Sequence, residues 1–212
     1  MFSIRIDSPP ADSKHSFRRW RMVVGLCASL FLAHNASAVF TFAAYTPVRQ
    51  ITMRVGSAGA TVNDVTFNVT GANISPTPVA VTGTPGASSP VTSPVGGTEI
   101  TLTAGLVSPG GQRVTLTADS SAGMTCVGGT GCGTTVIPFT TVSWTSYNHV
   151  TFPTFDIQDG AFTGATNQTL TNYTVSGGSV TMSNVLIFQY NNTTLYPSGQ
   201  YKGRVVYTAT IP

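Results

Sequence analysis

From residue 50 onward, most runs of the chain alternate apolar and polar side chains with a period of two, the spacing that sends successive side chains to opposite faces of a strand. In "QITMRVG" Ile51, Met53 and Val55 share a face, and in "DVTFNVT" Val65, Phe67 and Val69 do the same. "EITLTA" adds Ile100 and Leu102, and "RVTLTAD" adds Val114, Leu116 and Ala118. "TTVIPFTTVSW" changes parity midway, from Ile137 and Phe139 to Val142 and Trp144. With Pro138 inside it, that run reads as an edge strand carrying a bend or bulge. "VTMSNVLIFQY" sets Leu186, Phe188 and Tyr190 against Val185 and Ile187. The final run reads as one long strand from Tyr201 to Ile211, with Val205, Tyr207, Ala209 and Ile211 on one face. Pro197 and Gly199 mark a turn before it. Thr, Val, Ile, Phe and Tyr fill these runs and Gly, Pro, Asn and Ser separate them. No helical period extends over ten residues beyond the N-terminal segment, so the pattern predicts an all-β sandwich of roughly seven to nine strands.

Two stretches stand outside this pattern. Residues 74–98, "ISPTPVAVTGTPGASSPVTSPVGGT", are rich in Pro, Thr, Ser and Gly and carry no charge. They predict a long exposed loop holding one short edge strand around Val79 to Val81. At the N-terminus, Arg18, Arg19 and Arg21 precede an apolar run of 12 residues, Met22 to Ala33, and "ASA" at Ala36 to Ala38. That is the layout of a cleaved secretory signal peptide over residues 1–38, and the run is too short to span a bilayer.

Removing the leader changes the charge. The whole chain has Lys+Arg 10 and Asp+Glu 7, a formal +3. Residues 39–212 keep Arg49, Arg54, Arg113, Lys202 and Arg204 against Asp64, Glu99, Asp119, Asp156 and Asp159, so 5 − 5 = 0. The basic balance therefore belongs to the targeting segment and gives no case for nucleic acid. A surface so poor in charge suits a protein packed into an assembly. Of three cysteines, Cys27 leaves with the leader, so Cys126 and Cys132 remain around "VGGTG". In an exported chain this even pair reads as a disulfide, worth roughly 2–2.5 kcal/mol from loop-closure entropy. A redox or metal pair is the alternative, but His149 is the one histidine left to join it.

Catalytic patterns are thin. Asp156 and Asp159 in "FDIQDGAF" are the only close carboxylate pair, and a D-G turn is the plainer reading than acid/base chemistry or a calcium loop. His149 has no catalytic partner beside it in sequence, and no nucleophile elbow is present. The expectation is a non-enzyme without metal or cofactor. Tyr45, Tyr147, Tyr173, Tyr196 and Tyr201 could line a sugar-binding face, although tyrosine is also simply a good strand former. N-x-Ser/Thr sites begin at Asn68, Asn73, Asn167, Asn172, Asn191 and Asn192, and they matter only in a glycosylating host.

"VFTFAAYTPV", residues 39–48, adds an alternating strand before the first sandwich strand, with Phe40, Phe42 and Ala44 on one face. Together with the abrupt end on "GQYKGRVVYTATIP" and the order of "TVSWTS", "GAFTGATNQTL" and "SGQYKGRVVYTAT", the chain resembles subunits of bacterial chaperone–usher fimbriae (pilins and minor pilins). The likeness covers roughly residues 39–70 and 135–212. The small Cys126–Cys132 loop departs from the disulfide that joins the first two strands in many of these subunits. The resemblance implies an immunoglobulin-like sandwich over 49–212 that lacks its last strand. It implies that Phe40, Phe42 and Ala44 form a donor strand, and that Val205, Tyr207, Ala209 and Ile211 border the acceptor groove. It further implies neighbouring fimbrial subunits, a periplasmic chaperone and an outer-membrane usher as partners, transit through the periplasm to the cell surface, and a structural or adhesive role that can include a host receptor. The competing expectation is a self-complete secreted sandwich that binds carbohydrate or a surface partner.

Overall fold

The computed structural model describes residues 49–56, 64–74, 77–87, 89–106, 111–150 and 155–212. The leader and the segment bearing Phe40, Phe42 and Ala44 lie outside the described residues. Within them the alternating runs pair into antiparallel sheets that face one another as an all-β sandwich. The larger sheet is built from β1 (Gln50–Val55), β5 (Thr98–Leu106), β12 (Gly178–Tyr190), β9 (Val142–Tyr147) and β10 (Gly160–Ala161), in that spatial order. Facing it is a three-stranded sheet ordered β11 (Gln168–Val175), β6 (Gln112–Asp119), β14 (Val206–Thr210). Alternation places Ile100, Leu102 and Ala104 of β5 against Val114, Leu116 and Ala118 of β6, all at 0% exposure. Phe139, Trp144, Phe162 and Phe188 form an aromatic cluster in the same core, with the Trp144 and Phe162 rings 4.9 Å apart. Burial of such side chains at roughly 1.5–3 kcal/mol each is the main force holding the two layers together.

Three predicted elements differ in form. "TTVIPFTTVSW" is not one bent edge strand. It is β8 (Val136–Ile137), a 3-10 turn at Phe139–Thr141, and then β9 in a different sheet. The 3-10 turn is how the chain changes parity while still burying Phe139, Val142 and Trp144.

The loop 74–98 holds two short strands, β3 (Val81–Thr82) and β4 (Thr84–Pro85), the latter paired with β2 (Val65–Thr66). Val69, placed with Val65 and Phe67 by alternation, is exposed beyond the end of β2. β3 pairs with Gln189 and Tyr190 of β12, whose other side is taken by β9, so it continues the line of β5. Residues 83–97 are thus an excursion within one strand position. Its end lies over the outer face of β12, where Gly97 meets Val185 and Ser93 accepts a hydrogen bond from Asn148 Nδ2 at 2.9 Å. That cover explains why Val185 is buried although it points away from the core side of its strand.

The third difference is at the C-terminal run. Tyr201 to Ile211 is two strands, β13 (Tyr201–Gly203) and β14, with Arg204 and Val205 between them. β13 pairs with β7 (Met124–Cys126), and β7 also pairs with β8. β14 pairs with β6. Between Gly203↔Met124 and Val206↔Asp119, residues 204–205 face residues 120–123, so the partner strand carries extra chain and the ladder cannot run through. A short helix, α1 (Gly71–Ile74), is present besides.

Candidate functional site

The sandwich is closed unevenly. Across the smaller sheet, β6 buries Leu116 and Ala118 completely, while their register partners on β14, Ala209 and Tyr207, are only half-buried. Across the larger sheet the same step occurs: Ile100, Leu102 and Ala104 of β5 are fully buried, and their partners Val55, Met53 and Ile51 on β1 are not. Val205 and Ile211, flanking β14, are half-buried as well. Both strands are outer strands of their sheets, and they come within 8 Å of one another, Cα to Cα. They form the two sides of a seam along one side of the sandwich. No strand pairs with the outer edge of either among the described residues.

The seam is apolar and uncharged in its lining. Arg54 of β1 points to the outer sheet face, where its guanidinium lies 2.8 Å from Glu99 Oε2. Tyr207 contributes one polar atom. The residue is half-buried, and the burial of its phenol pushes the phenolic group well above its ordinary 10.0. An outer strand beside a strip of half-covered apolar side chains can accept a further strand: ladder hydrogen bonds supply affinity, and the alternate side chains supply selectivity.

The other candidates have different fates. Asp156 and Asp159 are not paired on a turn. Asp159 Oδ1 accepts from Ser146 N at 2.7 Å, and Gly160 begins β10 against the Trp144 ring, where an added Cβ would lie 2.9 Å from Cζ2. Asp156 has no exposed side-chain surface. Its Oδ2 accepts from Val150 N at 2.8 Å and its Oδ1 from Asn184 Nδ2 at 3.1 Å. Asn184 Oδ1 in turn accepts from Ile157 N at 2.9 Å. His149, without a partner in sequence, is brought to Asp156, with Nδ1 3.7 Å from Oδ2. Its Nε2, however, meets the backbone carbonyl of Ser146 at 2.9 Å rather than a hydroxyl, so the arrangement lacks the nucleophile of a Ser/His/Asp relay. The one sequence signal for this network is Asn184, a lone amide on the core-facing parity of an otherwise apolar strand.

The tyrosines do not make one face. Tyr173 is buried, Tyr147 is exposed on β9, and Tyr196 and Tyr201 lie near buried Tyr190. Tyr45 lies outside the described residues. Nδ2 of Asn192, the atom a glycan would take, is bonded to Asn73 O at 2.9 Å, and the residue is buried.

Cys126 and Cys132 are joined by a disulfide, Cα atoms 5.6 Å apart. Among the described residues no group of three or more His, Cys, Asp or Glu could hold a metal ion, and no helix is long and apolar enough to cross a membrane. Comparisons with family models, with curated proteins and with solved structures find no match to this chain.

Proposed function

We propose that the chain is a structural or adhesive subunit of a bacterial surface fimbria, built on an immunoglobulin-like sandwich completed by a strand from a neighbouring subunit. The observation that carries this reading is the burial step at the seam: Ile100, Leu102 and Ala104 of β5 and Leu116 and Ala118 of β6 are fully buried, while their register partners on β1 and β14 are half-buried. A donor strand bringing three to five apolar side chains would contribute roughly 5–15 kcal/mol there. Donor and acceptor are different surfaces, so the contact is heterologous and propagates into a fibre instead of closing. Until it is filled, the seam is an aggregation hazard, which gives a periodic need for a chaperone during export.

The candidate donor is residues 39–48, with Phe40, Phe42 and Ala44 directed into the seam of the next subunit. The test is the double substitution Phe40→Asp, Phe42→Asp, which would bury charge at a cost of roughly several kcal/mol each. The variant is expected to be exported and to keep its own sandwich, since its seam is intact, yet to stay unlinked in size-exclusion and cross-linking assays. A variant that polymerises as well as the unmodified chain overturns the reading and leaves a self-complete binding module as the better account.

A further inference from the structure

The disulfide loop grips the start of the strand that walls the seam. Cys126 ends β7, and its register partner across the ladder is Tyr201 of β13. Within the loop, Val127 N donates to Gln200 O at 2.7 Å. Thr130 Oγ1 donates to Val127 O at 2.7 Å and accepts from Gln200 N at 3.0 Å. One hydroxyl therefore ties the loop to itself and to the incoming chain. On top of this, Gly199 lies so close over Cys132 that an added Cβ would sit 2.5 Å from its Sγ and 3.1 Å from its backbone N. Ser198 to Tyr201 are thus seated on the closed loop, and only Arg204 and Val205 separate β13 from β14. Among the described residues β14 has a partner on one side only, β6, so its position depends on how its start is held.

We propose that the Cys126–Cys132 loop is a redox-controlled clamp on the β13–β14 strand, locking it when oxidised and releasing it when reduced. Its consequence for partner binding rests on the assembly reading above: an oxidised chain presents a fixed seam wall and a reduced chain does not. The two sulfurs are unequally placed, Cys132 at 2% exposure and Cys126 half-buried. A dithiol reductant therefore attacks Sγ of Cys126. The S–S bond breaks, Cys132 leaves as a thiolate and takes a proton, and the second thiol of the reductant resolves the mixed disulfide, releasing the Cys126 thiol. Two electrons and two protons pass to the protein, and the reductant becomes a disulfide.

The test is amide hydrogen exchange on the full chain, oxidised and after reduction with dithiothreitol, together with Thr130→Val, which keeps the disulfide and removes the bridging hydroxyl. Exchange across 199–210 is expected to rise about tenfold or more on reduction, and to rise at Gln200 in Thr130→Val, while β5 and β12 stay protected. Unchanged exchange over 199–210 in the reduced protein overturns the clamp. So does a uniform loss of protection on reduction with none in Thr130→Val, because the disulfide is then a general staple. A synthetic peptide of residues 39–48 supplies a separate readout. Weaker binding to the reduced form supports control of the seam, equal binding overturns that control, and binding to neither form overturns the assembly reading while exchange still judges the clamp.

Discussion

The Asp156 carboxylate has no exposed surface and accepts from two donors, the backbone N of exposed Val150 and Nδ2 of fully buried Asn184. Leaving a buried donor such as Asn184 Nδ2 without its closest acceptor costs about 1–3 kcal/mol, so Asp156→Ala is expected to destabilise the fold by about 1–3 kcal/mol in urea unfolding. A loss under half a kcal/mol would remove the network from the account of stability. Tyr207 allows a prediction with a sign in pH. Burial raises its phenol, and those of Tyr173 and Tyr190, above the ordinary 10.0. The folded state then holds the proton to higher pH than the unfolded state does. That contribution to stability is whole below pH 10.0 and is lost as pH rises beyond it. Tyr207→Phe cannot ionise, so its stability should fall less steeply above that pH, as read by unfolding midpoints along an alkaline series. Identical alkaline limbs for the two proteins would contradict the burial of the phenol. At this scale the apolar alternation was legible, because each strand's parity follows from chain geometry. The Asp156–Asn184 network was not, because its members are 28 residues apart and meet only when β12 packs beside the chain at Asp156 and Ile157.

Strand boundaries are set by partners as much as by their own residues. The run from Tyr201 to Ile211 keeps one parity throughout, with Tyr201, Val205, Tyr207, Ala209 and Ile211 half-buried, yet it divides because the facing chain inserts residues 120–123. "TTVIPFTTVSW" divides for a different reason: Phe139 and Val142 have opposite parity, and the 3-10 turn lets both reach the core. Gly199 was readable as a turn residue; its closer constraint is the approach to Cys132. Gly199→Ala is therefore expected to destabilise by about 1–3 kcal/mol through overpacking. A neutral result in thermal unfolding would mean that the 198–200 segment can lift from the loop at no cost.

At the scale of the molecule, two facing sheets, with Ile137 of β8 added from a third, bury one core, and its completeness differs from side to side. If the seam is where a further strand belongs, a chain lacking residues 39–48 should keep its own fold, and the 39–48 peptide added in trans should stabilise it. At peptide concentrations about 100-fold above Kd the gain is about 2.7 kcal/mol, visible as a concentration-dependent rise in Tm. A Tm that ignores the peptide, with the Phe40→Asp, Phe42→Asp peptide behaving identically, would count against the seam as an acceptor.

The alternation of side chains by itself determined the all-β class and which face of β1, β5, β6, β12 and β14 is apolar, because period two is a property of the extended backbone alone. It could not determine which apolar faces end fully covered. Ile51 and Leu102 look alike in their strands, as do Ala118 and Ala209; what separates them is which side of the sandwich their strand closes, since outer strand β11 buries Tyr173 and Val175 while outer strands β1 and β14 stay half-covered, and that is decided by the order in which distant strands pair. The same holds for the grip of the disulfide loop on Gln200 and for the meeting of Asn184 with Asp156. Contacts between residues far apart in sequence leave no local period to read, so only the tertiary structure brings them together.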